Sequence, residues 1–284
     1  MGKSMRSLIS KKLFLGIGLL LLIQTAILAQ GNCEALTKDS DEQKACEYGH
    51  RAIEFKQGSR ESLVLFDSAI ALNPNYAWAY YEKSITFLKR GYLTKGMSLL
   101  NKAVELEPLS YLCYRAYWFF QHKSYAQAMI DLERYYAMEG AYQQNTPGGA
   151  LDMRIVLAVA HAQQGAYDRA LVIVNNVINA YESDDFAGPY DFHTLGVLYL
   201  KNRQYAQAKE ALLRSIVRNE QFADTYYYLA LIAQEEGDIQ AAKSYIEEAI
   251  LRYEGEKDGY TGYPFCFPVS KEQALSLKVA LERK

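Results

Sequence analysis

Four short stretches of this chain place alanine three residues after a large side chain: Tyr125–Ala128, Tyr167–Ala170, Tyr205–Ala208 and Ile239–Ala242. The last three recur at intervals of 38 and 34 residues. Self-similarity at such a period constrains the fold more than any other feature. A single helix pair cannot bury its apolar face, so neighbouring pairs must stack and share a continuous core. Upstream of each stretch runs an apolar pattern with helical spacing. The clearest is Phe192, Leu195, Gly196 and Tyr199, offset by 3, 4 and 7 positions, which puts all four on one face of a helix. Gly196 sits on that face where a neighbouring helix has to come close.

Six units can be laid along the chain, near residues 43–76, 77–108, 109–140, 151–184, 189–222 and 223–254. Their alternation of helical faces, small residues and an occasional closing proline (Pro74, Pro108) resembles the tetratricopeptide repeat family, a helix–turn–helix unit of about 34 residues with the pattern W-x2-L-G-x2-Y…A-x3-F…P. The fifth unit matches best, through Leu195, Gly196, Tyr199, Tyr205, Ala208 and Leu212. The resemblance implies an all-α fold, a right-handed α-solenoid of about six helix pairs. Ala69, Ala103, Ala128, Ala170, Ala208 and Ala242 then let helices approach. Most of the 24 tyrosines become packing residues with a polar tip at the edge. Residues 141–150 (AYQQNTPGGA) interrupt the series as a surface insert. The last repeat needs a cap. Ser270 and Gln273 predict a capping box opening one, with Ala274, Leu275, Leu277, Val279, Ala280 and Leu281 as its apolar face.

The first 29 residues read as a secretory leader. Lys3, Arg6, Lys11 and Lys12 precede an apolar run over 13–29, and Ala29 offers a small residue for cleavage before Gln30. The expectation is an exported protein, periplasmic or secreted, with residues 30–42 as its N-terminal segment. The alternative is an uncleaved anchor over 13–29, the one way this chain would engage a membrane. Export changes the reading of Cys33, Cys46, Cys113 and Cys266, which lack the close pairs of a zinc site and can form up to two disulfides. Without the four leader cations the chain carries 27 basic and 33 acidic residues. That balance disfavours nucleic acid, whose phosphates are bound by clustered Lys and Arg.

No HExxH, GxSxG, phosphate-cradling or dinucleotide glycine motif occurs. The expectation is therefore no catalytic residue, no cofactor and no metal. His50 and His161 fall on packing positions, while His193 is the histidine placed to meet a ligand. Tetratricopeptide proteins hold ligands on the first helix of each unit, at its second, fifth, ninth and twelfth positions. Carried over, the resemblance marks Trp78, Tyr81, Ile85, Tyr117, Phe120, Ile155, Tyr190, His193 and Tyr227 as a partner-binding groove, and the same positions include Asp224 in the sixth unit. Trp78, Tyr81, Tyr117 and Phe120 would be its anchors for an apolar peptide. The implied function is a non-catalytic protein-interaction scaffold. The alternative is a catalytic or carbohydrate-binding protein that uses the aromatics as stacking platforms. Residues 255–284 form an aromatic tail plus cap, and Tyr260, Tyr263, Phe265, Cys266 and Phe267 are costly to leave in water. One expectation places this tail in the groove, locked by a Cys113–Cys266 disulfide, with Cys33–Cys46 closing the N-terminus. The other leaves it over the end of the sixth repeat with its cysteines free.

Overall fold

The computed structural model of the chain describes residues 32–254 and 266–283. The leader over 1–29 and the aromatics Tyr260, Tyr263 and Phe265 lie outside the described residues. Among those residues there are thirteen α-helices and no strand. They form two compact units, the first ending at Tyr111 and the second beginning at Leu112.

The first unit contains α1 (Asp41–Glu54), α2 (Arg60–Leu72), α3 (Ala77–Lys89), α4 (Leu93–Leu106) and the start of α5 (Pro108–Gln121). Local chemistry fixes the helix starts. Ser40 accepts from the Gln43 amide, Ser59 accepts from the Ser62 amide, and Pro108 opens α5 where its missing N–H is not needed. Ala45, Ala52, Phe66, Ala69 and Ala79 form the core between the first two pairs, with Tyr76 and Trp78 packed against it. A short 3-10 turn, Cys33–Ala35, precedes α1 and is tied to it by the disulfide Cys33–Cys46.

The second unit continues α5 and adds α6 (Tyr125–Tyr136), α7 (Met153–Gln163), α8 (Tyr167–Asn179), α9 (Asp191–Lys201), α10 (Tyr205–Arg218), α11 (Ala223–Glu235), α12 (Ile239–Glu254) and α13 (Lys271–Glu282). Consecutive helices pair as the repeats require, α7 with α8, α9 with α10 and α11 with α12. The alanines at 69, 103, 128, 170, 208 and 242 are all fully buried. The insert is ordered by its own chemistry. The Tyr135 hydroxyl donates to the Tyr142 carbonyl and accepts from the Tyr142 amide, and Asn145 bridges to Asp152. The Ser270–Gln273 capping box is present at the start of α13. The apolar face of α13 is narrower than expected. Ala274 and Leu281 are buried with Leu277 packed beside them, whereas Leu275 and Val279 are 41% and 47% exposed. Positions 274, 277 and 281 keep helical spacing on one stripe, and 275 and 279 fall beside it.

Gly196 occupies the close approach between α9 and α10. A Cβ there would lie 2.5 Å from the Leu212 Cγ and 3.1 Å from the Ala208 carbonyl oxygen. The backbone oxygen cannot yield as a flexible side chain would. Gly196→Ala is expected to destabilise the second unit by about 1–3 kcal/mol, the usual cost of overpacking. A denaturant melt followed by helical circular dichroism measures it, and an unchanged midpoint would show that α9 and α10 have room to separate.

Candidate functional site

The residues marked as a groove do not line an open surface together. Ile85, Tyr117, Phe120, Ile155, Tyr190 and His193 are all buried, with Ile155 and His193 fully so. Only Trp78, Tyr81 and Tyr227 are half-buried. In the first unit, Trp78 is a packing residue rather than a free anchor. Its ring lies 5.4 Å from His50, 6.1 Å from Phe66 and 5.8 Å from Tyr76. It fills the space left by Gly49, where a Cβ would stand 2.8 Å from the indole. Tyr81 stacks on Tyr111 at 4.8 Å. In the second unit, Phe120 meets the edge of Tyr125 at 5.6 Å and Tyr117 packs among Tyr114 and Trp118.

The arrangement that does have the form of a binding site lies on α9 and α11 in the second unit. It holds a bent segment, Cys266–Val269, by its main chain. His193 Nε2 is 3.2 Å from the Cys266 carbonyl oxygen, and the Tyr228 hydroxyl donates to the Phe267 carbonyl at 3.0 Å. The Val269 amide donates to Asp224 Oδ2 at 3.0 Å, and the Tyr253 hydroxyl, 3.3 Å from the Val269 carbonyl oxygen, donates to Asp224 Oδ1. Cys266, Phe267 and Val269 are buried, and Pro268 faces solvent.

The His193 tautomer follows from its partners. A carbonyl oxygen only accepts, so Nε2 carries the proton and Nδ1 accepts from the Thr225 hydroxyl, 3.0 Å away. Thr225 in turn accepts from Ser215 at 3.3 Å. Hydroxyls from α10 and α11 thus set the donor that α9 presents to the tail. Burial pushes the His193 imidazolium down to about 3, so the ring is neutral near pH 7. Burial also raises the Tyr228 and Tyr253 hydroxyls, which therefore stay protonated donors.

The cysteines divide. Cys33 and Cys46 are bonded, but Cys113 and Cys266 are both free and buried, which corrects the Cys113–Cys266 expectation. The physical reason is placement. Cys266 is held against Thr194 on α9, whereas Cys113 on α5 faces the side of Asp131 and Asp152. Burial pushes each thiol up to about 12. The tail also reaches past the sixth repeat, to His193 and Thr194 of the fifth.

Other polar clusters are internally satisfied or small. His161 lies 3.2 Å from both Arg169 Nε and Glu133 Oε1, a structural histidine whose pKa burial lowers. Asp191 accepts from the Tyr181 hydroxyl at 2.7 Å and the Gly188 amide at 2.8 Å; burial raises its pKa against those donors. A hollow of about 390 Å³ between α8 and α10 is lined by Asp184 and Arg214, which pair with each other. Cys33, Cys46 and His50 have donor atoms within 4.8 Å of one another, but the two sulfurs are bonded to each other. No helix among the described residues is long and apolar enough to cross a membrane.

Residues 223–254, α11 and α12, match the family model described as Tetratricopeptide repeat. Those residues form a tetratricopeptide repeat. Solved tetratricopeptide structures agree at the level of fold. PilW, a type IV pilus biogenesis factor, aligns with a TM-score of 0.57 at 16% identity over 75% of this chain and 96% of that one. PilF of Pseudomonas aeruginosa gives 0.57 at 16% identity, covering 77% and 96%. YrrB, described as a TPR protein with an unusual peptide-binding site, gives 0.51 at 16% identity, covering 67% and 93%. No curated protein matches the sequence. Along these helices, sequence reasoning found His193 and the Asp224 position but missed Thr225, Tyr228 and Ser215. Thr225 and Tyr228 lie next to the groove positions Asp224 and Tyr227, and a buried run of polar residues along α11 was the available signal.

Proposed function

We propose that this chain is an exported, non-catalytic interaction module that holds an extended segment of a partner protein against the first helices of its repeats. One observation carries the reading: α9 and α11 already hold a non-helical segment through two carbonyls and an amide. A surface that binds main chain in this way has the chemistry of peptide recognition. Tetratricopeptide proteins as a class bind protein or peptide partners and are generally non-catalytic. Export is supported by the three-part leader and by a Cys33–Cys46 disulfide of the kind that persists in oxidising compartments.

A second reading, a small polar ligand in the first unit, is favoured by one feature. A cavity of about 220 Å³ lies beside the disulfide, with Glu42, Asn73, Tyr76 and Glu107 in its wall. The Tyr76 hydroxyl there is buried without a hydrogen-bond partner, and burial raises the Glu107 carboxyl.

Photo-crosslinking residues placed at Tyr81 and Tyr227, on first helices, and at Val217, 86% exposed on a second helix, test the main reading in the native host. Partner adducts are expected from Tyr81 or Tyr227. Adducts from Val217 alone, or none, would overturn it. Sequencing the N-terminus of the same material is expected to start near Gln30. Intact Met1 in the membrane fraction would replace export by anchoring.

A further inference from the structure

The segment Cys266–Val269 does more than lead into α13. Its contacts jump back to α9 and α11, 73 residues away in the case of His193 and Cys266. It is held against local preference. Phe267 sits at φ 58°, in the left-handed region, immediately before Pro268. A non-glycine residue there is strained and persists only where its surroundings impose it. The surface beneath is not what plain helix packing needs either. His193, Thr194, Thr225 and Ser215 are fully buried polar residues in positions that apolar side chains would fill without cost. His193 takes the Cys266 carbonyl with Thr225 and Ser215 lined up behind it, Tyr228 takes the Phe267 carbonyl, and Asp224 meets the Val269 amide and the Tyr253 hydroxyl.

We propose that the α9–α11 face is a main-chain-reading peptide site, that Cys266–Val269 is its resident occupant in cis, and that a partner enters by presenting a neutral segment of the same chemistry. That chemistry is a small apolar residue, an aromatic, a proline and a β-branched residue in succession. The pattern follows from the resident. Cys266 fits against Thr194, Phe267 buries its ring, Pro268 faces out and needs no partner for a missing N–H, and Val269 buries a branched side chain over the Asp224 contact. A charged partner segment is disfavoured, because the site is desolvated. The inference rests on the reading of first helices as the partner surface and specifies it for the fifth and sixth repeats. The partner competes with the tail, so the strain at Phe267 lowers the cost of displacement.

The test uses the mature full-length chain carrying Cys113→Ser, which leaves Cys266 as its free thiol. The probe is an acetylated, amidated peptide of residues 266–270 with serine in place of Cys266. Saturating probe is expected to speed the reaction of Cys266 with a pyridyl disulfide by about tenfold, and a scrambled peptide is not. A second variant, Phe267→Asp with Val269→Asp, frees the groove while keeping the Ser270–Gln273 cap. It is expected to bind fluorescent probe about tenfold more tightly than the parent, and Asp224→Ala added to it is expected to abolish the gain. If the probe neither speeds labelling nor binds the freed groove, the tail is a fixed cover and the proposal fails. If Cys266 is instead protected in a dimer seen by sedimentation, the occupant is the tail of a second copy, and the partner assignment fails. Crosslinks at Tyr81 or Tyr227 that survive saturating probe would sink this inference alone. Absence of all such crosslinks sinks the reading beneath it. Should the double variant misfold by circular dichroism, the labelling experiment on the intact tail still decides.

Discussion

Acidification from about pH 7 to about pH 4 is expected to release Cys266–Val269 from α9 and α11. The sign comes from His193, whose pKa falls from 6.5 to about 3 in the folded chain. The released imidazole binds a proton first, so the docked state is favoured fully above about 6.5 and loses that advantage as the pH drops toward 3. At about 1.4 kcal/mol per pH unit, the loss is on the order of 3 kcal/mol near pH 4. Protonation would also demand that Nδ1 donate to Thr225, reversing the hydroxyl chain from Ser215. The groups facing His193 are Thr225, Tyr228, Phe222 and Cys266, with Asp224 beside Thr225 on α11. Tyr228 and Cys266 stay protonated across this window, because burial raises both. Asp191 on the same helix has a raised pKa and acts with the opposite sign, so a global melt mixes the two. A local readout separates them: Cys266 labelling by a pyridyl disulfide, normalised to a cysteine peptide at each pH. His193→Gln keeps a donor for the Cys266 carbonyl and is expected to flatten the profile. An unchanged profile in that variant would remove His193 from the explanation.

Trp78→Ala is expected to unfold the first unit partially rather than disable a binding surface. Deleting a core tryptophan costs about 3–5 kcal/mol, and the half-buried setting of Trp78 puts it near the lower figure. For a unit of this size, each kcal/mol shifts the melting midpoint by about 4–8 °C, so roughly 12–24 °C is expected in a helical circular dichroism melt. The cause is a hole beside Gly49, His50, Phe66 and Tyr76, against which the indole packs. Tyr117→Ala, at a site 8% exposed, is expected to act in the same direction in the second unit. A Trp78→Ala chain that melts normally but loses crosslinks at Tyr81 would restore the anchor reading.

What the sequence determined by itself is the repeat architecture and its local punctuation. The Ala170, Ala208 and Ala242 series, Gly196 against Leu212, and the Ser270–Gln273 cap were all legible, because each depends on helical period or on a hydrogen bond spanning three residues. The placement of His161 as a structural residue followed from the same periodicity. The second-fifth-ninth-twelfth rule also brought out His193 and Asp224. It failed to say which of its residues stay open, since that depends on how tightly neighbouring pairs stack. Trp78 illustrates this: its ring is covered because position 49 is glycine in the preceding repeat, a complementarity invisible from either residue alone. The tail was harder still. Its aromatic content announced that it must dock, but cysteine count suggested a lock on Cys113 that the structure replaces with hydrogen bonds. Only tertiary structure joined Ser215, Thr225, His193 and the Cys266 carbonyl into one chain. Its members come from three helices and a segment 73 residues beyond His193, and hydrogen bonds across such separations leave no periodic trace in a sequence. Periodicity records what each helix must bury, whereas the identity of the group that arrives to be bound is decided by where the folded chain returns.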